Sequence, residues 1–112
     1  MMLPWVREQI IEKLGFNPYS GTLNLRIDKL TMTCYHEIIE DVKQHRIDPP
    51  DNSYYPGLCV KVWLNHNVLG AIVIPIVPDY PEDLVEIISA HYLREKLSLN
   101  DGDELSVTLI EL

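Results

Sequence analysis

The feature that most constrains the fold is a pair of apolar segments in the middle of the chain. Apolar side chains recur at every second position across residues 58–64, and a second apolar run covers residues 68–77. Between them, residues 65–67 (Asn-His-Asn) are a turn signal. Because side chains alternate between the two faces of a strand, this pattern predicts a β-hairpin with a buried second strand. Gly70, inside the second run, indicates a bulge or close packing against another strand.

Three further segments are typical of short strands. Residues 22–28 and 104–112 alternate between apolar and polar side chains, and residues 84–88 form an apolar run that carries one glutamate. Several short strands with few helices favour a mainly-β fold, and closing the sheet into a barrel removes its exposed edges. We therefore expect a single domain, residues 1–112, that forms a small closed β-barrel with short peripheral helices.

Two segments have helical spacing. Residues 4–14 carry a proline in the first turn, and Gly15 follows where a carboxy-terminal cap would lie. On this helix we expect Arg7 to stay in water. Residues 89–97 predict a second helix, with Ser89 as a possible cap.

Residues 29–52 are ambiguous. Tyr35, Ile38, Ile39 and Val42 would form a helical stripe, yet residues 30–35 would also serve as a strand. We favour a strand followed by one or two helical turns.

The end of this region is polar. Residues 45–52 are rich in proline and predict a loop. His36 and His45 match no common ligand spacing, so we expect surface histidines rather than a metal site.

Composition limits the classes of function. The formal net charge is −8 over 112 residues, and no basic footprint for a nucleic acid is visible. No apolar run approaches the ~18 residues of a membrane span, and charged residues follow Trp5 at once, without a secretory signal core. Cys34 and Cys59 belong to no zinc or redox motif, and we expect buried free thiols. We expect a cytoplasmic protein with neither nucleic-acid nor membrane partners.

The segment from Gly15 to Leu25 carries the strongest functional signal. Asn-Pro and Ser-Gly dipeptides bend the chain tightly before the strand of residues 22–28 begins. Thr22 and Asn24 then share one face of that strand, so two neutral oxygens lie side by side. Mg²⁺ commonly takes only one or two protein ligands when phosphates supply the others. By itself, such a pair is also typical of a solvent-facing strand.

Residues 15–24 (Gly-Phe-Asn-Pro-Tyr-Ser-Gly-Thr-Leu-Asn) resemble the signature of the archaeal CTP-dependent riboflavin kinases. Residues 85–104 resemble the carboxy-terminal signature of the same family, and the two stretches occur in the family's order. The resemblance implies a barrel of about six strands with cradle-like loops over its mouth. It also implies transfer of a phosphoryl group from CTP to riboflavin, which gives CDP and flavin mononucleotide (FMN), with Mg²⁺.

The resemblance assigns roles to particular residues. Thr22 and Asn24 match the family's Mg²⁺ ligands, and Glu86 matches a carboxylate that contacts the flavin. The nucleotide-binding segment corresponds to His91, Tyr92, Leu93 and Arg94. For these roles, Thr22 and Asn24 must face the Arg94 turn across a cleft. Glu86 could instead lie on a solvated strand face, and Arg94 could be an exposed residue paired with a nearby acid. No residue stands out as the catalytic base.

Two departures from the family pattern leave alternatives open. Family members usually begin with a Gly-x-Gly-x-Gly strand and loop before the first helix, whereas here the helix follows Met1 almost at once. Pro78 also stands where the family tends to place a threonine. We therefore expect a shortened CTP-dependent riboflavin kinase, or else a non-catalytic flavin- or nucleotide-binding relative. A second copy of the chain could complete the site as a homodimer.

Overall fold

The computed structural model describes residues 2–110. Their strands form one six-stranded antiparallel sheet in the order β1-β5-β4-β3-β2, and β6 pairs with β3 beside β2. The elements are α1 (Pro4–Leu14), β1 (Leu23–Arg26), α2 (Lys29–Asp41), β2 (His45–Ile47), β3 (Gly57–Leu64), β4 (Val68–Pro75), β5 (Leu84–Ser89), α3 (Leu93–Lys96) and β6 (Val107–Leu109).

The sheet curls around one hydrophobic cluster and carries a second cluster on its outer face. Val62 and Ile87, both fully buried, belong to the inner cluster, which also takes in Leu109 of β6. Ile88 belongs to the outer cluster, which packs under α1. The six strands of this curled antiparallel sheet confirm the mainly-β, six-stranded prediction. No strand pairing joins β1 to β6 within residues 2–110, so closure of the barrel stays a prediction.

The central hairpin is confirmed in position and register. Strands β3 and β4 pair over their full lengths, from Gly57 opposite Pro75 to Leu64 opposite Val68. The second strand ends at Pro75, two residues before the predicted end. Gly70 lies where β4 meets β5, and a side-chain carbon at this position would lie 2.9 Å from the Ile88 carbonyl oxygen. The prediction of close packing at Gly70 is therefore confirmed.

The first helix begins and ends at the predicted residues. Gly15 adopts a left-handed conformation (φ 85°), and its N–H donates to the carbonyl oxygens of Ile10 and Ile11. Ile10 and Leu14 are buried against the outer face of the sheet. This packing fixes the direction in which the other side chains of α1 point.

The strand prediction for residues 30–35 was wrong, because helix α2 occupies Lys29–Asp41. Asp28 caps this helix by accepting a hydrogen bond from the Thr31 N–H at 2.7 Å, and this bond lowers the pKa of Asp28. Tyr35 and Ile39 pack against the inner cluster at helical spacing. Burial raises the pKa of Tyr35 to about 12.

The predicted loop at residues 45–52 was partly wrong, because His45–Ile47 forms β2 and pairs with the start of β3. His36 and His45 are both half-buried rather than fully at the surface. A ring nitrogen of His36 lies 3.2 Å from the carbonyl oxygen of Glu82.

Four smaller expectations also need correction. The helix predicted for residues 89–97 covers only Leu93–Lys96. Ser89 does not cap it but ends β5, where its buried hydroxyl donates to the carbonyl oxygen of Leu69 at 2.7 Å. Cys34 is exposed, whereas Cys59 is buried as expected. The predicted final strand, residues 104–112, shortens to Val107–Leu109, and its last two residues lie outside the described residues.

Within residues 2–110, every helix is too short or too polar to cross a bilayer.

Candidate functional site

The turn that leads into β1 is fastened to α1 by a single side chain. Nη1 of Arg7 donates to Oδ1 of Asn17 at 2.6 Å and to the carbonyl oxygen of Pro18 at 2.8 Å. Nη2 of the same residue donates to Oγ of Ser20 at 2.9 Å. The expectation that Arg7 stays in water was therefore wrong, since it is half-buried against the turn.

Thr22 and Asn24 lie next to each other on the outer side of β1. The Thr22 hydroxyl donates to Oδ1 of Asn24 at 3.0 Å, and both residues are exposed. Leu23 between them points the other way and is buried in the inner cluster. The predicted arrangement of two neutral oxygens on one face is present in the structure.

Thr22 and the segment 91–94 surround one cavity of about 220 Å³, which we call the tyrosine cavity. At its rim the rings of Tyr19 and Tyr92 stack, with centroids 5.3 Å apart and planes at 22°. The other lining residues are Gly21, Leu23, His91, Leu93 and Arg94. The structure therefore brings Thr22 together with all four residues assigned to the nucleotide.

Asn24 borders a neighbouring cleft of about 340 Å³, which we call the Asn24 cleft. Leu23 and Arg94 line both this cleft and the tyrosine cavity. In the cleft, Nη1 of Arg94 donates to Oδ1 of Asp101 at 3.1 Å; about half of the Arg94 side chain and nearly all of the Asp101 side chain are accessible to solvent. Thr22 and Asn24 thus each share a cavity with Arg94, but not the same cavity.

Glu86 lies directly opposite Asn24 in the pairing of β1 with β5. It is half-buried, and its Oε2 accepts a 2.6 Å hydrogen bond from the hydroxyl of Tyr80. Burial, together with the hydrogen bond to Glu86, raises the pKa of Tyr80. Glu86 borders neither the tyrosine cavity nor the Asn24 cleft, so the structure places it beside Asn24 but away from residues 91–94.

A third and larger cavity, which we call the α1 cavity, lies between the start of α1 and the outer face of the sheet. Its volume is about 470 Å³, and most of its lining is apolar. Gly21 and Thr22 border this cavity as well as the tyrosine cavity. Its other lining residues include Leu3, Val6, Ile10, Val73 and Ile88. Thr22 therefore borders both the α1 cavity and the tyrosine cavity.

A family model for CTP-dependent riboflavin kinase, described as "Domain of unknown function DUF120", matches residues 1–109. The chain belongs to this family. Proteins named riboflavin kinase are similar to it across most of its length. The protein from Archaeoglobus fulgidus is 41% identical over 106 residues, which cover 93% of this chain and 45% of the relative. The protein from Sulfurisphaera tokodaii is 38% identical over 112 residues, which cover 96% of this chain and 81% of the relative.

A riboflavin kinase from Methanocella arvoryzae is 41% identical over 106 residues, which make up 46% of its length. The chain thus spans about half the length of several curated relatives and about four fifths of another. Membership of the CTP-dependent riboflavin kinase family confirms the resemblance carried by the two signatures.

Four side chains that contact the candidate site residues or the turn before them were not predicted from the sequence. Tyr19 and Tyr80 lie in turn segments, and no sequence pattern predicts that they contact Tyr92 and Glu86. Arg7 and Asp101 were visible as charged residues, but their partners come from other elements. A weak signal existed for Asp101, because a nearby acid was foreseen as an alternative partner of Arg94.

Proposed function

We propose that the chain acts as a CTP-dependent riboflavin kinase, which transfers the terminal phosphoryl group of CTP to riboflavin and yields CDP and FMN. Family membership and the names of its relatives support this proposal. Phosphoryl transfer depends on positioning and on neutralisation of charge more than on covalent help from the protein. A site built from two cavities and a few polar groups is suited to that task.

The observation that carries the proposal is the position of Thr22 between the two cavities. The α1 cavity has the volume and apolar lining expected for a flat ring system such as isoalloxazine. The tyrosine cavity supplies stacked aromatic rings and Arg94 for a nucleotide. Phosphates that reach from the nucleotide towards the flavin would pass Thr22.

The Thr22 and Asn24 oxygens also fit a magnesium ion. Mg²⁺ binds oxygen octahedrally at about 2.0–2.1 Å, so two adjacent ligands lie about 2.9 Å apart. In the structure, the two side-chain oxygens lie 3.0 Å apart. When bound there, Mg²⁺ would neutralise charge on the phosphates and hold them in line. Thr22 and Asn24 would orient it, while the nucleotide phosphates and water complete its coordination.

We assign the remaining contacts as follows. Residues 91–94 hold the nucleotide, and the Arg94 guanidinium exchanges Asp101 for a phosphate. Glu86 borders none of the three cavities, so its carboxylate, which accepts a hydrogen bond from Tyr80, would contact only a part of the flavin that extends beyond the α1 cavity.

The setting of the reaction is part of the proposal. We place it in the cytoplasm, where CTP and Mg²⁺ are both available. Within residues 2–110, β1 pairs with β5 on one side and leaves its other edge open. Such an edge favours pairing with a second strand, and a homodimer would cover it.

The test combines turnover and binding. The protein is incubated with riboflavin, CTP and Mg²⁺, and FMN is quantified by chromatography; omission of Mg²⁺ and replacement of CTP by ATP are the controls. We expect FMN only when both CTP and Mg²⁺ are present. Calorimetric titration with CDP and with riboflavin runs in parallel. Binding without turnover would replace the kinase by a non-catalytic flavin- or nucleotide-binding protein, and absence of both would reject the assignment.

A further inference from the structure

The turn formed by residues 17–21 has little regular structure of its own. One backbone hydrogen bond, from the Tyr19 N–H to the carbonyl oxygen of Ser89 at 2.7 Å, ties it to the sheet. Another, from the Gly21 N–H to the carbonyl oxygen of Tyr19 at 2.9 Å, closes the turn on itself. Few backbone hydrogen bonds therefore oppose local opening of this segment. Side-chain contacts must therefore contribute much of its order.

Arg7 supplies three of those contacts at once. Its donors reach Asn17, Pro18 and Ser20, which covers nearly the whole turn, at distances of 2.6–2.9 Å. The residue projects from α1, whose buried side chains hold the helix rigidly against the sheet. Arg7 borders neither the tyrosine cavity nor the α1 cavity, so it acts on any ligand through the turn.

We infer that Arg7 is a positioning residue. It holds the turn of residues 17–21 in the arrangement that presents Tyr19 and Thr22 to a magnesium nucleotide. This inference rests on the proposed function. All three acceptors are neutral, so the contacts fix geometry rather than compensate a charge. The planar guanidinium can donate to several acceptors in fixed directions. A lysine ammonium is a compact point charge on a flexible side chain and cannot donate in the same fixed directions.

The test compares Arg7→Met and Arg7→Lys with a matched control on the same helix, Lys13→Met. Lys13 donates to Oε1 of Gln9 and to the carbonyl oxygen of Arg46, on the side of α1 that faces β2. The control therefore removes a comparable cation and its hydrogen bonds without touching the turn. The midpoint of thermal unfolding is measured for all three variants. A variant that keeps its midpoint is folded, so any change in its binding comes from the position of the turn.

Two measurements follow on each folded variant. Hydrogen exchange of the peptide that covers residues 15–23 is recorded without ligand, and the Kd for CDP in saturating Mg²⁺ is measured by calorimetry. For both Arg7 variants we expect exchange at least fivefold faster and a Kd at least tenfold higher. Lys13→Met should leave both quantities within twofold of the original protein.

The outcomes separate this inference from the proposed function. Unchanged exchange in Arg7→Met, or faster exchange with an unchanged Kd, overturns the role of Arg7 even if the protein is a riboflavin kinase. An equal rise in Kd for Lys13→Met also overturns it, because the effect would then come from general loosening of α1. If the original protein binds no CDP, the proposed function fails and the positioning role toward the nucleotide falls with it, whereas the exchange data still show whether Arg7 orders the turn.

Discussion

At the scale of single residues, the candidate site depends on exposed polar groups that contribute little to the fold. Thr22 and Asn24 hydrogen-bond to each other and are accessible to solvent. Surface side chains of this kind can be replaced at a cost of about 0.5 kcal/mol or less in stability. Their energetic importance is therefore expected to lie in ligand binding, which makes them separable from folding.

Replacing these oxygens should damage activity much more than stability. For Thr22→Ala and Asn24→Ala we expect kcat/KM to fall about 100-fold, or ~2.7 kcal/mol, because in the proposed site each substitution removes a ligand of Mg²⁺. The apparent Mg²⁺ requirement should rise, while the midpoint of thermal unfolding stays within about 2 °C. Steady-state kinetics over a range of Mg²⁺ concentrations measures both effects.

Thr33→Ala is the matched control, since the hydroxyl of Thr33 is exposed on α2 and donates to the carbonyl oxygen of Lys29. Activity in that variant should not change. Full activity in Thr22→Ala at limiting Mg²⁺ would contradict the metal assignment.

Asp101 competes with phosphate for Arg94 in our scheme. The ion pair is exposed, and such pairs contribute at most about 1 kcal/mol. Asp101→Asn should therefore lower the Kd for CDP with Mg²⁺ by about twofold, or ~0.4 kcal/mol. Glu104→Gln removes the same charge from the same loop, where Glu104 has no hydrogen bond or ion pair with another described residue. If both variants tighten binding equally, general electrostatics rather than release of Arg94 is responsible.

At the scale of elements, the close approach of β4 and β5 determines how the site is assembled. Strand β5 carries Glu86 on its outer face and ends at Ser89, whose carbonyl oxygen holds the turn at Tyr19. Its position depends on Gly70 of β4, where the Ile88 carbonyl oxygen and Cδ1 of Leu64 leave no room for a side chain. The spacing between two strands therefore affects the positions of both Glu86 and the turn at Tyr19.

Gly70→Ala should destabilise the protein by about 1–3 kcal/mol, because β5 must shift to accommodate the added methyl group. Gly57→Ala is the control, since a side-chain carbon there would lie 3.6 Å from its nearest neighbour, and we expect a change below about 0.5 kcal/mol. Urea unfolding followed by tryptophan fluorescence measures the free energy of unfolding. Similar values for the two variants would show that β4 and β5 can separate without strain.

At the scale of the whole molecule, one curled sheet separates two hydrophobic clusters. The two cysteines differ in their exposure to solvent. Cys59 is fully buried in the outer cluster, whereas Cys34 is exposed on α2. Burial raises the pKa of the Cys59 thiol to about 12. A raised pKa means that the folded protein holds the proton more tightly than the unfolded chain does. Folding therefore gains stability from Cys59 below pH 9, and that contribution is lost as pH rises towards 12.

Thiol alkylation at pH 8 should consequently modify one cysteine rapidly in the native protein. We expect Cys34 to react and Cys59 to react only in denaturing urea, because a buried neutral thiol is a poor nucleophile. Mass spectrometry after limited treatment with iodoacetamide measures the modified fraction at each site. Cys34→Ser is the control, and rapid alkylation of that variant in its native state would show that the outer cluster opens readily.

Much of the architecture follows from local signals in the sequence. The first helix is marked by an early proline and by Gly15, and the central hairpin by an alternating segment before residues 65–67 and an apolar run after them. Asn65 and His66 both adopt positive φ, as their turn requires. Helix α2 was missed because its apolar residues fit either period, although Asp28 offered a local cap signal. The two signatures were sufficient to identify the family and to name candidate site residues.

Only the tertiary structure decided how those residues support one another. Arg7 meets the turn ten to thirteen residues later, Tyr19 stacks on Tyr92, and Asn24 lies opposite Glu86. No periodicity records such contacts, because they join segments that are separated in sequence and that approach only when the sheet curls and α1 packs on it. Sequence patterns determine which face a side chain occupies, whereas packing between elements determines what that side chain meets.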